Sequence, residues 1–326
     1  MVVVRAFPRV HISLLDLGNA TPRRYGGSGF SIDGNVIDVS ATLATRCQID
    51  GLELLDELAR DQVEQVIAAF RCVRPNSPAF QICIRNVPAQ HVGFGTKTTL
   101  LLALLVAAND ATGAGLKTAE LQHLSGRGGT SGVGINLFFT GGFLCDLGHP
   151  NRSDAPFVPS SASQPAEVPP IACRFNIPNG WRFLLILPPG RRLAGAEEKL
   201  FFRRATPISR IDVLEAVAAM YHGVVPAILA ANIDQLRSSL NVIHSIGFKR
   251  RELDEQSEAV RQIYHRLSAI RSLAVGLSSL GPLLYAVADD KDLQATETVK
   301  AICRHEGATF LGAFAGRNSG YEITYE

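Results

Sequence analysis

The stretch Gly93-Phe94-Gly95-Thr96-Lys97-Thr98-Thr99 decides how this chain is read. Before it, Phe80 to Val87 is an apolar run that predicts a strand, ending at Pro88. After it, Thr98 to Asn109 is almost wholly apolar and predicts a buried helix. A glycine-rich turn between strand and helix lets the backbone approach an oxyanion, and the first N–H groups of the helix point at it. Lys97 adds a full positive charge, and Thr96, Thr98 and Thr99 add hydroxyls, Thr99 offering one to Mg²⁺. The turn lacks the Gly-Lys-Ser/Thr step of a P-loop and the third glycine of a dinucleotide fingerprint. By itself the segment fits an anion site and a plain strand-to-helix connection equally well.

Three further turns share its character. Gly126 to Gly134 holds five glycines with Arg127, Thr130, Ser131 and Gly132, which suits an anion-binding nest or a flexible turn. Leu277 to Pro282 carries Ser278, Ser279 and Gly281, a second anion contact or an ordinary turn. Asp16 to Gly29 reads as a loop in which Arg24, Tyr25, Gly26 and Gly27 bring a cation beside flexible backbone; solvated arginines are the alternative. His11 and His91 adjoin these turns, while the remaining histidines are scattered. The sequence has no G-x-S-x-G, no H-E-x-x-H and no supported Cys/His pair. Four anion-friendly turns without a nucleophile suit phosphoryl or pyrophosphate chemistry, in which positioning and charge stabilisation dominate.

The 326 residues suffice for two domains. Hydrophobic residues at 46% and charged residues at 19% exclude a disordered chain, and a net charge of +2 gives no reason to expect nucleic acid or a membrane surface as partner. The six cysteines lie outside C-x-x-C and zinc spacings, mostly in apolar runs, which predicts a reduced, cytoplasmic protein. Val2 to Phe7 reads as a first strand with no signal-peptide pattern, and the longest apolar stretch, Leu100 to Ala108, is too short for a bilayer. Asp33-Gly34-Asn35 predicts a hairpin, Leu52 to Phe70 an amphipathic helix, and Thr118 a helix cap. Helices are predicted at Ile211–His222, Val225–Ser238, Glu252–Ser272 and Thr296–His305, with strands at Trp181–Leu187, Leu283–Ala288 and Thr309–Phe314. Prolines and serines from Pro150 to Pro170 mark a linker, dividing the chain near residues 1–165 and 166–326. The mixture without a βαβ rhythm predicts an α+β fold.

Taken together and in order, these turns resemble the GHMP kinase superfamily, whose phosphate turn follows a proline as Gly93-Phe94-Gly95-Thr96 follows Pro88. The closer likeness is to β-ribofuranosylaminobenzene 5′-phosphate synthases and related C-nucleoside synthases. It is carried by Arg9 to Leu17, Gly26 to Gly29, Gly126-Arg127-Gly128, Ser131 to Gly134, Gly141-Gly142-Phe143, Glu197 to Phe202, Gly247-Phe248-Lys249 and Gly276 to Pro282. The resemblance implies a ribosomal-protein-S5-like N-terminal domain, a ferredoxin-like C-terminal domain, Mg²⁺ as cofactor and a homodimer. It also implies a transfer reaction: ribose from phosphoribosyl pyrophosphate joins a ring carbon of an aromatic acid, with loss of pyrophosphate and CO₂. Lys97, Arg24, Arg127 and His11 then become catalytic candidates. Gly93, Gly95, Thr96, Thr98, Thr99, Ser278, Ser279 and Gly281 become donor contacts, and Tyr25, Gly26, Gly27, Ser131, Gly132 and Asp146 line the substrates. A ring-carbon nucleophile would explain the missing enzyme nucleophile.

Two stretches depart from that family's pattern. Lys97 and Thr98 stand where it has Gly-Thr, and Tyr25 stands where it has Asp. The acceptor therefore stays open between 4-aminobenzoate of methanopterin biosynthesis, 4-hydroxybenzoate and a heteroaromatic acid. An ATP-dependent small-molecule GHMP kinase is the competing reading, and a binding protein of the same fold is a third.

Overall fold

The computed structural model describes residues 1–151, 155–163 and 167–326, so part of the expected linker lies outside the described residues. The first strands are β1 (Val2–Ala6), β2 (Arg9–Asp16), β3 (Arg23–Ser31), β4 (Ile37–Leu43), β5 (Gln48–Asp50) and β6 (Phe80–Asn86). Then come β7 (Phe143–Asp146), β8 (His149–Pro150), β9 (Ile171–Phe175) and β10 (Trp181–Leu187). The chain closes through β11 (Ala274–Leu277), β12 (Leu284–Asp289), β13 (Thr309–Ala315) and β14 (Glu322–Tyr325). Helices in the first half are α1 (Glu57–Val73), α2 (Thr96–Ala111), α3 (Thr118–Leu124) and α4 (Val133–Thr140). In the second half they are α5 (Gly195–Ala205), α6 (Arg210–Ala219), α7 (Val225–Leu229), α8 (Ile233–Ser245), α9 (Gly247–Asp254), α10 (Glu258–Ser268) and α11 (Leu293–Glu306).

Three sheets organise these elements. The first runs β14-β1-β4-β6-β5, the second β2-β3-β7-β9 with β8 beside β3, and the third β11-β12-β10-β13. Helix α2 is buried along most of its length between the first sheet and α1, as its unbroken apolar sequence requires. The second and third sheets share a core in which Val10, Phe30 and Phe143 meet Trp181, Phe183 and Tyr285. That shared core fixes the two halves of the chain to each other and positions the cleft between them.

Several local expectations are corrected. Much of the expected loop before Gly29 is strand β3, paired with β2 and β7. Its glycines admit close neighbours: a Cβ on Gly27 would lie 2.6 Å from Ser131 Oγ and 2.9 Å from His11 Nε2. Asp33 to Asn35 does not close a hairpin, because β3 and β4 belong to different sheets. Lys117, not Thr118, is the N-cap of α3, its N–H bonded to Glu120. Helix continues from α6 through a π turn at Met220–Val224 into α7, and the break falls before Asn232, which caps α8. The predicted helix from Glu252 is two, α9 and α10, the latter capped by Ser257.

The α6–α7 helix, Arg210–Leu229, is long and apolar enough by length and composition to cross a membrane, unlike the shorter stretch from Leu100. One side of it lies in the fold, with Val213 in one core cluster and Met220, Val224, Ala227 and Ile228 in another. All six cysteines are free: Cys145 and Cys303 are buried, Cys83 and Cys173 half-buried, Cys47 and Cys72 exposed.

Candidate active site

The cleft is built around the start of α2. Gly95 is the N-cap, in the left-handed region at φ 72°, and no side chain caps the helix. Gly93, Gly95, Thr96, Lys97 and Thr98 all line the cleft, so the helix's positive end opens into it. The space of about 180 Å³ is many times what a single water needs. Thr96 donates to the Ala89 carbonyl, and Thr99 turns its hydroxyl back to the Gly95 carbonyl, away from the cleft.

Cations converge on this helix start. Arg127 donates through Nε to Thr98 Oγ1 at 3.1 Å and through Nη2 to Ser160 Oγ at 3.2 Å. Arg9, from β2, donates to the Gly93 carbonyl at 2.6 Å, and its guanidinium would lie only 3.0–3.3 Å from a Cβ on Gly95. Burial holds its pKa down to about 10, with Arg127 adding to the shift, so it stays charged at neutral pH. Burial also lowers Lys97, and Arg127 lowers it further, while Asp56 and Glu198 oppose. Desolvated cations crowded together favour a bound anion.

A seam of hydrogen bonds fixes the turn to the C-terminal half. Ser278 donates to the Gly93 carbonyl at 2.8 Å and accepts from the His11 N–H at 2.9 Å. Its side chain is fully buried in this seam, whereas neighbouring Ser279 and Gly281 line the cleft. Leu283 N–H donates to the Val92 carbonyl at 3.0 Å. Below the seam, Lys249 is buried, 2.7 Å from Glu252 and 2.9 Å from the Leu277 carbonyl. Glu252 reaches the cleft.

The other expected residues serve the walls. Asp146 is buried and accepts from Ser131 Oγ at 2.8 Å, Gly132 N–H at 2.9 Å and Gly148 N–H at 2.8 Å. It thus occupies the start of α4 with the protein's own carboxylate, leaving Ser131 alone of that group in the cleft lining. Arg24 donates to the carbonyls of Ala155 and Pro156 and stacks 4.3 Å over Phe157. Tyr25 bonds Val158 on both sides of its hydroxyl. Arg24, Tyr25, Gly26 and Gly27 lie outside the cleft lining, and the first two hold the described part of the expected linker in place. His91 lines the cleft, 3.0 Å from Asp56.

Sequence reasoning gave no role to several lining residues, among them Arg9, Leu14, Glu198 and Phe202. Glu198 and Phe202 stand one turn apart on the same face of α5. Both pairs lay in stretches matched to the family without a role being given to either. Among the described residues no three His, Cys, Asp or Glu side chains form a metal cage. Glu198 beside the cationic turn does fit Mg²⁺, which binds through one or two carboxylates together with substrate phosphates.

No protein-family model matches the chain. The β-ribofuranosylphenol 5′-phosphate synthase of Archaeoglobus fulgidus is 30% identical over 289 residues, covering 89% of this chain and 88% of that protein. This chain belongs to the β-ribofuranosylphenol 5′-phosphate synthase family. The synthase of the same name from Methanothermobacter thermautotrophicus is 29% identical over 98% of this chain and 97% of its own. Among solved structures, homoserine kinase from Cytophaga hutchinsonii matches with a TM-score of 0.70 at 13% identity, over 99% of this chain and 97% of its own. Streptococcus pneumoniae phosphomevalonate kinase matches at 0.70 with 11% identity, over 95% and 98%. The synthase family therefore shares the two-domain GHMP-kinase fold.

Buried ionisable groups beside the cleft set an acid response. Burial, with Lys249 adding, depresses His244 from 6.5 to about 3. The folded chain then binds fewer protons than the unfolded one, so stability falls as pH drops from about 6.5 to about 3. His11, also depressed, acts in the same direction. Asp146, raised by burial from 3.8 to about 6, opposes them, since the fold takes its proton first as pH falls between those values. Burial also raises Glu252, which opposes with Asp146, and lowers His149, which acts with the other two, so three histidines stand against two carboxyls. Urea midpoints should fall between pH 6.5 and 4, and His244→Gln should flatten that slope; an unchanged slope would contradict the assignment.

Proposed function

We propose that this protein is a phosphoribosyl pyrophosphate-dependent, decarboxylating C-ribosyltransferase. It joins ribose 5-phosphate to a ring carbon of an aromatic or heteroaromatic carboxylic acid, releasing CO₂ and pyrophosphate. One observation carries the reading beyond family membership: Lys97, Arg127, Arg9 and the open end of α2 converge beside an apolar wall. Such a site can take charge from a departing diphosphate while leaving a ring to attack.

In this reaction the C1′–O bond to diphosphate breaks, and the departing charge meets Lys97, Arg127 and the turn's N–H groups. The ring carbon bearing the carboxylate donates its π electrons to C1′. The bond to the carboxylate then breaks, its electron pair restores the aromatic ring, and CO₂ leaves. No net proton is consumed, and no enzyme nucleophile is needed. Glu198 and the diphosphate would hold Mg²⁺, which supplies further charge neutralisation. A cytoplasmic homodimer acting on small molecules, without nucleic acid or membrane as partner, completes the proposal.

The kinase alternative rests on fold, at 11% and 13% identity, whereas the synthases share 29% and 30% along nearly the whole chain. Carboxyl-labelled 4-hydroxybenzoate, 4-aminobenzoate and heteroaromatic acids, each with phosphoribosyl pyrophosphate and Mg²⁺, decide between them. CO₂ and pyrophosphate should appear in equal amounts with at least one acid. Tight ATP binding with no CO₂ from any acid would sink the reading.

A further inference from the structure

Strand β2 is irregular at the point where it passes the cleft. His11 pairs with Gly29 and Ser13 with Ser28, so Ile12 is an extra residue in the ladder. In a regular strand positions 11 and 14 would face opposite sides. The bulge lets His11 and Leu14 both line the cleft, while Ile12 is buried in the core behind it. Arg9, two residues before His11, lies under the Gly95 turn. One strand thus presents a cation, a polar ring and an apolar side chain in succession, leading away from the anion end.

The far end is a slot. Leu14, Leu193, Phe202 and Leu280 pack in one cluster and all reach the cleft. His11, on β2, lines the same cleft. Its side chain is only 6% exposed, and its Nδ1 is buried without a hydrogen-bond partner. An unsatisfied buried polar atom destabilises the fold, and a ligand that bonds it relieves that cost. Burial and the charges of Arg9 and Lys249 hold the imidazole neutral. A neutral imidazole keeps one nitrogen as acceptor, and that nitrogen suits an O–H or N–H donor.

We propose that the slot bounded by Leu14, Leu193, Phe202 and Leu280 binds the acceptor ring, with His11 hydrogen-bonded to an O–H or N–H on that ring. This rests on the ribosyl-transfer reading. It narrows the acceptor to hydroxy-, amino- or NH-heteroaryl carboxylic acids. A neutral imidazole accepting from that substituent increases its electron release to the ring, and so strengthens the carbon that attacks C1′. The proton is shared through the hydrogen bond and stays with the substituent, so the overall balance is unchanged.

The test compares wild type, His11→Phe and Phe202→Ala in two measurements. The first is calorimetric binding of phosphoribosyl pyrophosphate with Mg²⁺. The second is CO₂ release from matched acids: 4-hydroxybenzoate and 4-methoxybenzoate, 4-aminobenzoate and 4-(dimethylamino)benzoate, pyrrole-2-carboxylate and its N-methyl form. Wild type should prefer the member bearing O–H or N–H by at least 100-fold. His11→Phe should cut that preference below 5-fold while donor affinity changes less than 3-fold. Phe202→Ala should turn over 6-hydroxy-2-naphthoate, which wild type rejects; a gain of this kind cannot come from misfolding. If wild type turns over an acid but His11→Phe keeps the preference, or loses donor affinity as steeply as turnover, or Phe202→Ala gains nothing, the slot is wrong and ribosyl transfer stands. If wild type releases no CO₂ from any acid, the ribosyl-transfer reading fails and the slot with it.

Discussion

Replacing Lys97 by methionine is expected to weaken binding of phosphoribosyl pyrophosphate by about 30- to 160-fold. The estimate is the roughly 2–3 kcal/mol of a charge-assisted hydrogen bond in a site that the ligand itself closes from water. Methionine keeps the apolar stem, so the loss reports the ammonium. Lys97 is the cation in the turn itself, and burial already lowers its pKa. A bound diphosphate reverses that shift by supplying the missing negative charge. Where alkaline pH begins to deprotonate Lys97, donor binding should therefore take up a proton, visible as a binding enthalpy that varies with the buffer's ionisation enthalpy. The variant should lose both the affinity and the buffer dependence. Wild-type affinity in Lys97→Met would remove the residue from the donor site.

How much of this site could be read beforehand depends on how local each signal is. The Gly93–Thr99 turn was legible because its strand, glycines, lysine and apolar helix are contiguous, and the observed α2 begins within it, at Thr96. Arg9 was not, because its contribution is a bond to Gly93, 84 residues away. Glu198 and Phe202 depend on where α5 packs, and their own stretch says only that a helix is there. The Asp16–Gly29 segment misled for a physical reason: glycine is rare in strands for want of side-chain packing, yet here its bare Cα lets Ser131 and His11 approach. Arg24 and Tyr25, expected at the substrate, are instead held by residues 155–158, a contact no spacing rule encodes. Fold class came from the order of elements, and the division of strands among three sheets came only with the structure.

Gly281→Ala should be among the most damaging single methyl additions near the cleft. The glycine's φ is not in the left-handed region, so alanine there meets no backbone strain of its own. The difficulty is that a Cβ would enter the Val92 carbonyl group and lie 2.5 Å from Gly93 N. Those are backbone atoms already fixed: Val92 accepts from Leu283 N–H, and Gly93 accepts from both Ser278 and Arg9. Relief requires the turn to move away from the C-terminal half, which breaks the seam that aims the start of α2. A loss of about 4 kcal/mol or more is expected, the range reserved for overpacking against immovable neighbours together with lost buried hydrogen bonds. In a chain of this size that lowers Tm by about 8 °C or more. Donor affinity should fall at least 100-fold even where the variant remains folded. Gly113→Ala is the matched control: its φ of +62° is strained for alanine, but nothing lies within 4 Å of the added carbon. It should cost only about 1–2 kcal/mol and leave donor binding untouched. Thermal melts and calorimetric titration of both variants test the contrast. Equal behaviour of the two would mean that the seam at Val92–Gly93 does not position the anion-binding turn.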